Sequence, residues 1–157
     1  MIVISPYSKK LGNGKRNPKD YPWWPEVIGR LRGQGFQDII QIGIKGEEAI
    51  GVDRMIFNGP FYELAEIIKE SLAWASVDNF LPHFCRVCAP NKPGVVIFSQ
   101  SDPEIFGYQE NINLLKDDKY LREKQFDLWT HAEFIEEAFV EPERVVNAIV
   151  QIAGDKR

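Results

Sequence analysis

The chain has 157 residues with a formal net charge of -4, and 44% of its residues are hydrophobic. That is enough apolar material for one self-folding domain and excludes a disordered or low-complexity chain, and the acidic balance argues against a dedicated nucleic-acid binder, which would need Lys and Arg to neutralise phosphates. No apolar run approaches the ~20 residues that cross a bilayer, so no membrane insertion is expected.

The elements follow in chain order. Ile2 to Ile4 is a buried strand, and a long polar loop from Ser5 to Pro22 leads to a helix around Pro25 to Gly33, where Pro suits the first turn and Gly the exit. A second strand, Asp38 to Gly43, runs through Lys45-Gly46-Glu47-Glu48 into a short helix, and Arg54 to Phe57 is a brief third strand ended by Asn58-Gly59-Pro60. From Phe61, apolar residues recur at helical spacing through Leu64, Ile68 and Leu72. Leu72 to Val77 is the next strand, Phe80 to Ala89 a helix, and Gly94 to Phe98 the clearest buried strand of the chain. Ile112 to Leu115 completes the set before the charged stretch Lys116 to Lys124, and Ala132 to Ala138 and Pro142 to Ile152 have helical patterns. Strands alternating with helices, with no repeat and no long linker, predict a single α/β Rossmann-like domain over residues 1–157. It should hold about six mostly parallel strands with helices on both faces.

In such sheets ligands bind beyond the C-terminal strand ends, so the segments that follow strands are the candidates. The first, Ser5 to Lys19, holds Ser8, Lys9, Lys10, Lys15, Arg16 and Lys19, with Gly12 and Gly14 between them. This composition suits a phosphate but lacks P-loop spacing, and a solvated basic loop is the alternative. Glu47 and Glu48 can accept from a ribose diol or simply complement a helix start. Asp78-Asn79-Phe80-Leu81-Pro82-His83 sets an acid at a strand tip and a His one helical turn later, within reach of one ligand, although Asn79 or Asp78 also suits a helix N-cap. Cys85 and Cys88 form a C-x-x-C with only His83 and His131 as histidines, and they read as small packing residues rather than a redox or metal pair. So few cysteines fit a reducing compartment, and a cytoplasmic location is expected. No cofactor or metal is expected.

Taken in order, these segments resemble the C-terminal, nucleotide-sugar-binding half of the family 9 glycosyltransferases, the group that includes the heptosyltransferases of lipopolysaccharide assembly. The opening strand leads to Ser8-Lys9-Lys10 and Lys19-Asp20-Tyr21-Pro22-Trp23, where the family has a hydroxyl residue and a Lys before a Trp-Pro pair. Gly46-Glu47-Glu48 matches its Gly-rich turn with a Glu, the helix from Gly59 matches its Gly-x-x-x-leucine-rich helix, and Asn91-Lys92-Pro93 and Ser101-Asp102-Pro103 match later turns. Its most specific element, D-[ST]-G-x-x-H, corresponds to Asp78 through His83, with Asn79 in place of the hydroxyl residue and Phe80 in place of the Gly.

The resemblance implies a GT-B-type domain with Ser8 and Lys19 near donor phosphates, Glu47 near the ribose, and Asp78, Asn79 and His83 around the diphosphate and sugar. The ligand it implies is a nucleotide diphosphate sugar. Because the family's acceptor domain and base lie in its other half, transfer is expected to need an acceptor-binding partner chain or a second copy in a homo-oligomer. No catalytic base is identified in the sequence. The alternatives are a non-catalytic nucleotide or phosphometabolite-binding module and an interaction scaffold built on exposed aromatics and the charged 116–124 segment.

Overall fold

A computed structural model describes residues 1–154. Six strands form one all-parallel sheet: β1 (Ile2–Ser5), β2 (Ile39–Gly43), β3 (Arg54–Phe57), β4 (Ala73–Val77), β5 (Val95–Ile97) and β6 (Ile112–Leu114). Their order is β3-β2-β1-β4-β5-β6, so the chain reverses its winding direction between β1 and β4. A crevice opens at such a switch point, outside the strand tips.

The two faces are covered by different residues of the same strands, as a period of two requires. Ile2 and Ile4 of β1 and Ala73, Ala75 and Val77 of β4 face α1 (Trp24–Gly33) and α5 (Pro142–Ala153). Val3, Trp74 and Val96 face the other way, toward α2 (Phe61–Glu70) and α3 (Phe80–Cys88). β1 and β4 are buried throughout, which is why they read as unbroken apolar runs, whereas β3 is an edge strand with Arg54 and Met55 exposed. Trp74 lies across Gly94, where an added Cβ would sit 2.1 Å from the indole ring. Its Nε1 donates to the Lys92 carbonyl at 3.0 Å.

Two expected helices are absent. After Gly43 the chain forms a loop instead of a short helix: Gly46 and Gly51 adopt φ of +95° and +93°, outside the helical range. The buried Gln41 side chain also ties the loop down, donating to the Glu48 carbonyl at 2.9 Å and accepting from the Ile50 N–H at 3.0 Å. Ala132 to Ala138 holds only a single 3-10 turn, Glu136–Ala138. The Glu133 carbonyl, which a helix would use internally, accepts from the Gln100 side chain at 2.8 Å, and Phe134 turns in against Phe139. A short helix not foreseen, α4 (Pro103–Phe106), starts where Asp102 accepts from the Glu104 N–H at 2.9 Å and Pro103 occupies the first turn.

Candidate functional site

The tips of β1 and β4 bring together segments far apart in sequence. β4 is followed directly by Asp78, which is only 8% exposed. Its Oδ2 accepts from the Ser101 hydroxyl at 2.8 Å and lies 3.6 Å from Lys19 Nζ, both groups being largely buried. A buried carboxylate and ammonium tolerate this environment because each offsets the other's lost hydration. The Ser8 hydroxyl points at the Asp78 carbonyl, 3.5 Å away, so Ser8, Lys19 and Asp78 share one spot.

Asn79 joins the same spot as a connector. Its Oδ1 accepts from the Leu81 N–H at 2.9 Å, capping α3. Its Nδ2 donates to the Ser5 hydroxyl at 2.9 Å, the Tyr7 carbonyl at 3.0 Å and the Ser5 carbonyl at 3.2 Å. One carboxamide thereby fastens the start of α3 to the exit of β1. Phe80 is 42% exposed and packs beside Phe84, at a ring-centroid distance of 6.3 Å, outside the core. His83 is exposed, and its Nδ1 lies 2.7 Å from the Tyr108 hydroxyl rather than beside Lys19 or Asp78.

Glu47 and Ser8 line one cleft of about 580 Å³, together with Lys10, Lys15 and Arg16 of the basic loop. Its carboxylate folds back to accept from the Ile44 N–H at 3.3 Å, which requires Gly43, since a Cβ there would meet Glu47 Oε2 at 1.8 Å. Burial raises the Glu47 pKa, opposed by the Ile44 N–H and by Lys10, with Asp20 adding to the rise.

Four residues at this end carry weight beyond the candidate site residues read from the sequence. Asp20 accepts from the Ser8 N–H at 2.8 Å and is pushed up to about 6 by burial, which outweighs that hydrogen bond and the nearby Arg16 and Lys19. Trp129 lies under two cations, Arg122 at 3.6 Å and Lys19 at 5.2 Å from ring centroids. Ser101 supplies the hydroxyl on Asp78. Asp20 had a visible signal, as the single acid in a run of cations, and Ser101 lay in the Ser101-Asp102-Pro103 turn of the resemblance; Trp129 and Arg122 arrive only through folding of the 99–141 segment over the strand tips. There the Ser99 hydroxyl donates to the Pro18 carbonyl at 3.0 Å and Lys15 pairs with Glu133 at 3.2 Å. Cys85 is buried and Cys88 half-buried against the α2–α3 face, and burial pushes both thiols up.

No family model and no curated protein matches the sequence. Among solved structures, the chain is similar to an ADP-heptose lipopolysaccharide heptosyltransferase II from E. coli, with a TM-score of 0.67 and 14% identity over 97% of this chain and 46% of that one. It is similar to the dodecameric, iron-containing glycosyltransferase TibC from enterotoxigenic E. coli, with a TM-score of 0.66 and 14% identity over 97% and 45%. Against the E. coli heptosyltransferase WaaC with ADP, the TM-score is 0.58 at 19% identity, over 71% of this chain and 36% of that one. The chain therefore has the Rossmann-like fold found in heptosyltransferases and related glycosyltransferases, as its six-stranded parallel sheet and the resemblance in sequence led us to expect. It spans less than half the length of these neighbours. Among the described residues no helix is long and apolar enough to cross a membrane.

Proposed function

We propose that the crevice between the tips of β1 and β4 binds a nucleotide diphosphate sugar, and that the chain acts as the donor-binding part of a glycosyltransferase. The acceptor side would come from a partner chain or a second copy. The observation that carries this reading is the cluster of Lys19, Ser8 and Asp78 at the topological switch point, beside a 580 Å³ cleft lined by Lys10, Lys15 and Arg16 together with Glu47. Lys19 would face the diphosphate and stabilise the charge that grows on the leaving group, Ser8 would donate to a phosphate oxygen, and Glu47 would accept from the ribose. Asp78 would orient Lys19, and the N-terminal turn of α3, from Asn79 toward His83, would lie along the diphosphate and sugar.

The experiment is a thermal-shift screen of the full chain against ADP, UDP, GDP and TDP and their sugars. A ligand at a hundred times its Kd adds about 2.7 kcal/mol, a readable shift in melting temperature. The expected result is stabilisation by one nucleotide family that is lost in Lys19→Ala and Glu47→Ala. No shift with any nucleotide removes the proposal. A second reading, binding without transfer, draws on the Asn79 side chain, whose carboxamide is committed to Leu81, Ser5 and Tyr7. Nucleotide binding with no turnover by any complex of the chain would favour it.

A further inference from the structure

α3 is apolar nearly all round: only His83 and Arg86 are polar between Phe80 and Cys88. A helix of that kind is normally enclosed. Its inner side is enclosed, with Leu81 and Cys85 buried against the sheet, but its outer side is open. Phe80, Phe84 and Val87 follow one another at single-turn spacing on that outer side, and Val87 is 83% exposed. Beside them, at the start of α2, Phe61 packs on Phe84 at a ring-centroid distance of 5.5 Å and is still 69% exposed. Its neighbour Tyr62 is equally open.

Four of the nine large hydrophobic residues exposed among the described residues therefore lie on the outer side of this one helix pair. At ~200 Å² for a whole aromatic side chain, they offer about 500 Å² of mostly apolar surface, near the upper end of what a monomer leaves bare. A stable interface needs about 800 Å² on each side, as an apolar centre with a polar rim. The charged residues of α2 and α3 border the apolar ones and supply that rim.

The rim also selects the partner. α2 has Glu63, Glu66 and Glu70 against Lys69, whereas α3 has His83 and Arg86 and no acid. Both helices run back from the strand tips and so point the same way. A two-fold axis lying between them and along them sets each α2 opposite the α3 of the other copy, acid facing base, with the aromatic residues at the centre. Arg86 pairs within the chain with Glu110, and Glu66 with Lys69, but these contacts are exposed and a second copy can share them. An anionic lipid surface would meet the acids of α2 and be repelled. We propose that the outer side of α2 and α3 joins two copies of this chain in a symmetric dimer, with both strand-tip crevices opening on the same side. The dimer is independent of the donor reading above and identifies the face on which a second copy meets the first.

The test is sedimentation velocity of the full chain over about 1–200 µM, with an expected dimer Kd of about 10 µM or below. Val87→Asp and Phe61→Ser, at positions too exposed to disturb folding and checked by circular dichroism, should each raise that Kd tenfold or more. Leu128→Ser, at an exposed apolar position on another segment, should leave it unchanged. Glu66→Lys and Arg86→Glu should each weaken the dimer, and their combination should recover most of the loss, because the axis pairs α2 with α3 twice. A chain that stays monomeric across the range overturns the proposal. So does a dimer indifferent to Val87→Asp and Phe61→Ser, or one that the double charge variant weakens more than either single change. Dimers without nucleotide binding would remove the donor reading and leave this interface standing; a monomer that binds nucleotide would do the opposite.

Discussion

Replacing Asn79 should loosen the crevice more than its half-buried position suggests, because one side chain holds two elements. Removing the cap on Leu81 costs about 1 kcal/mol. The Nδ2 group has two hydrogens for three acceptors, and losing those bonds costs about 1 kcal/mol each. Ser5 is only 2% exposed, so water cannot replace them there without opening the β1 exit. Asn79→Ala should therefore lose about 3 kcal/mol, or roughly 6–12 °C in Tm for a domain of this size. Asn79→Ser retains a capping oxygen and should lose about 2 kcal/mol. Asn79→Asp is the decisive variant, since it caps a helix as well as Asn but sets a carboxylate against the carbonyls of Ser5 and Tyr7. It should be at least as unstable as Asn79→Ala. Urea unfolding followed by circular dichroism, with slopes compared to confirm a common two-state transition, measures all three. If Asn79→Asp and Asn79→Ser match the parent within about 0.5 kcal/mol, Asn79 is only a cap and the connection to β1 carries no energy.

Three other outcomes are expected. Burial raises Asp20 from 3.8 to about 6, so the folded state binds its proton more tightly than the unfolded state; no penalty exists below pH ~4, it grows as pH rises from there to ~6, and above that it is constant at about 2–3 kcal/mol. Asp20→Asn should accordingly stabilise the chain at pH 7.5 by about 2 kcal/mol, with the gain vanishing near pH 4, and urea titrations at the two pH values check the sign. Gly94→Ala drives a methyl into the Trp74 ring and should cost at least about 3 kcal/mol, most of it recovered in the double variant with Trp74→Leu, as read by thermal unfolding. Burial raises the pKa of both thiols, so at pH 7.5 Ellman's reagent should leave Cys85 untouched in the native protein and modify Cys88 more slowly than free cysteine; rapid reaction of Cys85 would contradict its packing.

The sheet was legible because its information is local. Ile2-Val-Ile, Ala73 to Val77 and Gly94 to Phe98 are apolar runs of strand length, and a strand buried on both faces has no other way to appear in a sequence. Ser8, Lys19 and Asp78 could be placed together because each follows a strand, and parallel topology sends all such positions to one edge. The errors share one cause. The short helix expected beyond Lys45-Gly46-Glu47-Glu48 and the helical pattern at 132–138 were overruled by side chains from elsewhere, Gln41 in the first and Gln100 in the second, which took up the backbone groups a helix would have needed. Helix propensity is a weak prior, and a buried amide with two good hydrogen bonds outweighs it over so few residues. Trp129 and Arg122 were invisible for a related reason. Their importance comes from a long segment returning to the strand tips, and nothing in its own composition specifies where it lands.

That returning segment explains how a loop with five cations can be ordered without every charge being paired. A basic loop held by carboxylates would have to break ion pairs before it could bind a phosphate. Here several contacts are of another kind: Arg16 rests on Phe134, Lys19 and Arg122 share Trp129, and the loop is anchored through neutral bonds from Ser99 to Pro18 and from Asn17 to the Lys9 carbonyl at 2.8 Å. An aromatic face holds a cation by about 0.5–1 kcal/mol at an exposed site and leaves its N–H groups directed outward. The Asp78 carboxylate is shared between Ser101 and Lys19, and at 3.6 Å its hold on the ammonium is a loose one. The cations are thus positioned without being fully neutralised. In the low-dielectric crevice of a switch point, that is the condition under which an incoming anion gains most from them.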